Sequence, residues 1–269
     1  MGVCSATRPS ALRRQCNGED EHCSLFAVPC SLFLFRLAVY AVDVDGPLEA
    51  LVAEYPAWWI DFLGEHNHIG GVEATNWLLE RSSMRPGARM LDCGAFVGAA
   101  ARMAAERFDA RAVAIDFAAD FLRTGRAMSH GDQVQWVTAN SRRLPFRDGV
   151  FDSVWCLDSD MAPRELSRVA APAATLCLCC EVPVDSRGGV EAFIDEWAEF
   201  GWALSAHKQL SGEATQLWRK VEAELVRRRP HFEERYSKRG YLAQLDLIAS
   251  MLRAYEIGEQ GHGLFVFAR

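Results

Sequence analysis

Apolar positions in this chain alternate between two rhythms from about residue 88 onward. Short runs, apolar almost throughout, are MLD from Met90, RAVAID from Arg111, VQWVTAN from Val134, FDSVWCLD from Phe151 and TLCLCCEVP from Thr175. Between them lie longer stretches such as VGAAARMAAERF and FAADFLRTGRAM, where small or apolar residues recur at helical spacing. Short apolar runs bounded by turn residues read as buried strands, and the intervening pattern as helices. Strands buried on both faces and joined by helices predict a mainly parallel sheet covered on both sides, an α/β doubly wound fold.

The flanks extend this pattern. PLEALVAEYPAWWIDFL, from Pro47, reads as a helix broken near Pro56; GEHNHIGG is a loop by its glycines, and VEATNWLLERSSM a helix. Downstream, GVEAFIDEWAEFGW predicts a helix, ALSAHKQLS a strand and GLFVFAR a closing strand. Between the last two strands, Leu217, Val221 and Leu225 repeat at four, and Leu242, Leu245, Leu252 and Tyr255 follow a helical stripe. This predicts two amphipathic helices, an insert over 212–260 that caps the carboxyl ends of the sheet. Residues 1–45 are expected to be an extension and 46–269 a single domain.

Composition narrows the classes. The 269 residues are half hydrophobic and 24% charged, with a net charge of -7. That balance argues against a nucleic-acid partner, whose binding surface would show clustered excess Lys and Arg. The apolar run Ser24–Val42 is interrupted by Pro29 and Arg36, so no stable membrane insertion is expected. Acids at Glu19, Asp20 and Glu21, with no small-residue cleavage site, speak against a signal peptide. The nine cysteines lack paired C-x-x-C hooks, and LCLCC places Cys177 and Cys179 on one strand face and Cys180 on the other as core residues. Reduced thiols imply the cytoplasm. Oligomeric state is not legible.

Candidate chemistry collects at strand ends. Asp92 with Gly94 and Gly98 follows the first strand, Asp116 ends the second, and Asn140 with Ser141 follows the third. A carboxylate ending the second strand of such a sheet is placed to accept from the hydroxyls of a ribose, which suggests a nucleoside ligand. The spacing Asp92-x-Gly94-x-x-x-Gly98 fits the G-x-G-x-x-G of dinucleotide sites poorly. Phe96 occupies a position where the turn would favour glycine. His66, His68 and Glu65 in GEHNHIGG are candidates for a catalytic base. No third ligand has a recognisable spacing beside them and H-E-x-x-H is absent, so no metal is expected. Trp58 and Trp59 are candidate pocket walls.

Together these segments resemble the class I S-adenosylmethionine-dependent methyltransferases, in their small-molecule, methyltransferase type 11-like branch. MLDCGAFVG is similar to the family's strand-plus-glycine motif, VAIDFAADFLRTGRAM to its acidic second strand and helix, and ANSRRLPFRDGVFDSVWCLDS to its G-D-A-x-x-L-P-F-x-D-x-x-F-D stretch. The resemblance implies a Rossmann-like seven-stranded sheet with an antiparallel last strand, and S-adenosyl-L-methionine as cofactor. It implies that Asp92, Gly94, Phe96 and Gly98 cradle the methionine part, Asp116 takes the ribose, Phe117 stacks near adenine, and Asn140 and Ser141 read the adenine edge. Leu157 and Asp158 would face the reacting centre. The implied reaction is methyl transfer to a small, partly apolar organic acceptor. Phe96, Asn140 in place of an acid, and Pro172-Ala173-Ala174 in place of P-G-G depart from the pattern. They leave open a degenerate methyltransferase fold used for binding or for a non-methylating reaction.

Overall fold

The computed structural model describes residues 64–184 and 189–269. The extension 1–45, the helix expected from Pro47, and Trp58 and Trp59 lie outside the described residues.

A first helix, α1 (Gly71–Leu79), precedes β1 (Arg89–Cys93), α2 (Ala99–Phe108), β2 (Arg111–Asp116), α3 (Ala119–Ala127) and β3 (Val134–Thr138). The chain continues through β4 (Phe151–Leu157), α4 (Pro163–Val169), β5 (Ala170–Pro183), α5 (Gly189–Glu199) and β6 (Ala203–Gln209). It closes with α6 (Ser211–Arg227), α7 (Arg229–Glu256) and β7 (Gln260–Ala268). The seven strands form one sheet in the order β3-β2-β1-β4-β5-β7-β6. β1 pairs in parallel with β2 and β4, and β7 runs antiparallel between β5 and β6. The doubly wound sheet and its antiparallel last strand are those expected.

Alternation along each strand feeds two cores. Trp155, Cys177, Cys179, Leu264 and Val266 face α1, α2, α6 and α7, whereas Val154, Cys156, Leu178, Cys180 and Phe265 face α4 and α5. The LCLCC run behaves as its alternation predicts. Cys177, Cys179 and Cys180 are buried thiols, and burial pushes the Cys177 and Cys180 groups well up, so neither of these two is a nucleophile at neutral pH.

The 212–260 insert differs in detail from the two helices expected. Ser237, at φ 67 and ψ 157, breaks α7 into two pieces. Trp218, Val221 and Leu225 from α6 and Ile248 and Leu252 from α7 are buried in the sheet's own core on the α1–α2 face. Much of this insert is therefore a wall of the domain, and its two ends reach the carboxyl edge, where the Ser211 hydroxyl accepts from the His262 N–H and Tyr255 meets β5 and β7. The order of the sheet reverses between β1 and β4, and ligands of open α/β sheets bind outside the carboxyl ends of strands at such a point.

Candidate functional site

The turn after β1 is built from left-handed backbone. Gly94, Phe96 and Gly98 have φ of 72°, 54° and 67°. Glycine adopts this region freely, whereas a side chain there is strained. Phe96 accepts the strain with its ring directed inward: it is 1% exposed and packs edge-on to Phe121 of α3 with ring centroids 4.9 Å apart. The side left open is lined by Asp92, Gly94, Ala95, Ala99, Ala100 and Leu157, and Phe96 is absent from it. The space along this cleft, about 250 Å3, includes open solvent and is not an enclosed cavity. Gly98 is also needed for space, since a Cβ there would lie 2.6 Å from the Trp136 ring of β3.

At the head of the turn Asp92 is fully buried. Desolvation pushes its carboxyl up to about 7, and the neighbouring Asp116 adds to the effect against the opposing pull of the Ala101 backbone N–H and Arg102. Asp116 holds the turn itself. Its Oδ2 accepts from the Phe96 N–H (3.1 Å) and its Oδ1 from the Ala118 N–H (2.9 Å). The residue singled out for a ribose is thus also the brace that keeps Phe96 in its left-handed conformation. Phe117, next to it, is 45% exposed. Asn140 is exposed and its side-chain oxygen accepts from the Arg142 N–H at 2.9 Å, while the Ser141 hydroxyl donates to Asp160 at 3.2 Å. Arg142 grips the same Asp160 with two donors, at 2.7 and 3.1 Å.

The GEHNHIGG loop forms the opposite wall, contributing Glu65, His66, Asn67 and His68. Glu65 pairs with Arg102 of α2, whose other nitrogen donates to the Val97 carbonyl. The two histidines meet at one hydroxyl, His66 Nδ1 at 2.9 Å and His68 Nε2 at 2.8 Å from Thr75 Oγ1. His68 Nδ1 lies 3.1 Å from the Ile69 carbonyl, which can only accept, so that nitrogen carries the proton. His68 Nε2 then accepts from Thr75, Thr75 accepts from His66 Nδ1, and the lone pair of this relay resides on His66 Nε2. Burial above all, with His68 and Arg102 adding to it, lowers His66 to about 4. Burial also lowers His68. Both rings are neutral at pH 7.

The far end of the site is set by β4. Leu157 lines the cleft, and Asp158 follows it in left-handed backbone (φ 46°), buried, with Oδ2 accepting from the Ile69 N–H at 2.8 Å. The same carboxylate lies beside Cys179 of β5 and His262 of β7. Sequence spacing missed this grouping, because partners 83 residues apart meet only through the antiparallel pairing of β7 with β5. It also missed Arg102 and Thr75. For Arg102 there was a signal, a lone charged residue in the small-residue helix VGAAARMAA.

A family described as methyltransferase domain matches residues 90–177, from β1 into β5. Among curated proteins, the methyltransferase GfsG of Streptomyces halstedii is 29% identical over 119 residues, 40% of this chain and 43% of that protein. The chain spans less than half the length of the curated relatives it matches. Among solved structures, a sarcosine dimethylglycine methyltransferase from Galdieria sulphuraria superimposes with a TM-score of 0.71 at 16% identity, covering 80% of this chain and 97% of that one. Phosphoethanolamine N-methyltransferase 2 of Haemonchus contortus, solved with S-adenosyl-L-methionine, has a TM-score of 0.65 at 16% identity, covering 84% of this chain and 60% of that one.

Proposed function

We propose that this chain transfers a methyl group from S-adenosyl-L-methionine to a small, partly apolar organic acceptor, a reading supported by the match of residues 90–177 to a methyltransferase domain family and by the likeness of the fold to solved methyltransferases. The observation that carries the reading is the state of the glycine turn. Phe96 keeps its ring in the core, so the cleft between the turn and the GEHNHIGG loop stays lined by small residues and one buried carboxyl. A cationic nucleoside fits that set. Asp92, Gly94 and the backbone from Phe96 to Gly98 would hold its amino-acid end, Asp116 and Phe117 its ribose and base, Asn140 and Ser141 the base edge, and Leu157 the region of the sulfur. When bound, the cofactor supplies an electrophilic methyl group on a sulfonium centre.

The residues of this chain supply position and proton handling. Orientation is the larger contribution, because transfer to a correctly held acceptor gains effective molarity of about 10⁵ M or more. His66 is the candidate base. The Ile69 carbonyl, His68 and Thr75 set its tautomer so that Nε2 accepts, and burial keeps it unprotonated at pH 7. At about 4 it is a weak base, suited to an acceptor whose proton becomes acidic only as the new bond forms. Glu65, held by Arg102, tethers the loop that carries it. A partly apolar acceptor suits the apolar Ala95, Ala99, Ala100 and Leu157 lining.

Calorimetric titration with S-adenosylmethionine and S-adenosylhomocysteine tests the reading. Because Asp116 also braces the turn through both oxygens, the variant used is Asp116→Asn, which keeps one of the two acceptors and is checked for folding by circular dichroism. Micromolar binding, weakened about ten- to a hundredfold by the variant, supports it. Absence of binding by folded protein would overturn it and favour a non-methylating use of the fold.

A further inference from the structure

We propose that Asp158, Cys179 and His262 form a three-ligand site for a zinc-type divalent cation. Their donor atoms all lie within 4.8 Å of one another, and all three residues are buried. His262 Nε2 is 3.0 Å from Asp158 Oδ1 and 3.4 Å from Cys179 Sγ, and Cys179 Sγ is 3.7 Å from Asp158 Oδ2. Around a tetrahedral zinc with ordinary bond lengths, neighbouring donors come out about 3.3–3.6 Å apart. The observed spacings scatter around that range. Carboxylate, imidazole and thiolate together are a borderline-soft set that suits zinc and would reject calcium or magnesium.

Two further features point the same way. His262 Nδ1 is 2.9 Å from the Tyr255 hydroxyl, whose own proton goes to Glu181 Oε1 at 3.0 Å. The hydroxyl oxygen is then the acceptor for an Nδ1–H, which leaves Nε2 as the nitrogen facing Asp158. This is the outer arrangement of metal-binding histidines, whose second ring nitrogen donates to an oxygen that fixes tautomer and orientation. Asp158 is likewise held by the Ile69 N–H. The second feature is an orphaned atom. Asp158 Oδ1 is buried without a well-formed hydrogen bond, despite its 3.0 Å approach to His262 Nε2. Two lone pairs at that separation repel unless a cation or an added proton lies between them. A metal with these three ligands keeps a fourth position for water or an exogenous oxygen or sulfur donor. The site stands where β4 ends, beside Cys179 within β5 and next to Ile69 of the cleft loop.

The test uses the full chain, stripped with a chelator and titrated with Zn²⁺ against a chromophoric competitor, then with Co²⁺, whose thiolate complex has a near-ultraviolet charge-transfer band. One tight equivalent is expected, together with that band. Cys179→Ser should abolish the band and weaken Zn²⁺ at least about 100-fold, and Tyr255→Phe, an outer partner, about 10–100-fold. The chain has nine cysteines, so the variants decide. Should Cys179→Ser not fold, Asp158→Asn tests the site through Zn²⁺ affinity alone, with a comparable loss expected. Absence of a tight equivalent in the wild type would overturn the site. Affinity and band unchanged in both variants would do the same.

Discussion

Left-handed backbone costs a non-glycine residue roughly 1–3 kcal/mol, while emptying a buried phenylalanine site costs about 3–5 kcal/mol; Phe96 sets the two against each other. Its φ of 54° is offset by full burial and the edge-on contact with Phe121. Phe96→Gly is therefore expected to lower stability by about 1–3 kcal/mol although it relieves strain. Denaturant midpoints check this, and a stabilised variant would show that the ring contributes little. Asp92 gives a second prediction. Its carboxyl, pushed up to about 7 by burial, is mostly protonated at pH 6 and ionised at pH 8. A cationic ligand binds the ionised form, so S-adenosylmethionine should bind about tenfold more weakly at pH 6 than at pH 8, releasing a proton on binding. Titrations in buffers of different ionisation enthalpy would detect that proton. Asp92→Asn should flatten the profile.

Among the elements, α2 and α3 sit so close to β3 that two glycines are fixed by space. A Cβ on Gly125 would lie 2.4 Å from the Val97 carbonyl and 2.7 Å from Trp136. Gly125 lies within α3 without positive φ, so propensity alone would favour alanine. Overpacking decides against it: Gly125→Ala should cost about 1–3 kcal/mol by thermal or chemical unfolding. Little change would mean that Trp136 yields. The 144–148 loop is pinned in another way. Arg168 of α4 holds Glu165 with two nitrogens, both at 2.7 Å, and also donates to the Leu144 and Phe146 carbonyls and to Asp148. The elements were legible in the sequence where a run was long and uniformly apolar, as in β4 and β5. The strand ends gave Asp92, Asp116 and Asp158, because a residue that ends a parallel strand has one place to be. What stayed hidden depended on non-local pairing or lay between the patterns: His262 reaches Asp158 only through β7, Thr75 links two histidines across a loop, and the break at Ser237 falls outside both apolar stripes. Phe96 was readable as an anomaly, yet its direction depended on Phe121, two elements away.

Over the whole molecule, the buried acid and the buried histidines pull stability in opposite directions as pH changes. His66 and His68 are held neutral in the fold, while in the unfolded chain each takes a proton near 6.5. Between that value and about 4 for His66 the unfolded state binds more protons, so stability falls as pH falls. Asp92 has the reverse sign: between about 7 and 3.8 the folded state holds a proton that the unfolded chain lacks, so its contribution rises as pH falls. The wild type should therefore lose stability from pH 7 to pH 5 less steeply than its histidines alone would dictate. Asp92→Asn isolates the difference, since a neutral side chain removes the cost of a buried carboxylate only where that carboxylate is ionised. The variant is expected to be more stable than the wild type at pH 8 and nearly equal to it at pH 5, read from urea unfolding at each pH. Equal stability at pH 8 would mean that Asp92 is ionised at little cost. The tenfold affinity change predicted for the cofactor would then fail as well, because both rest on one carboxylate kept protonated by the same burial that forms the cleft.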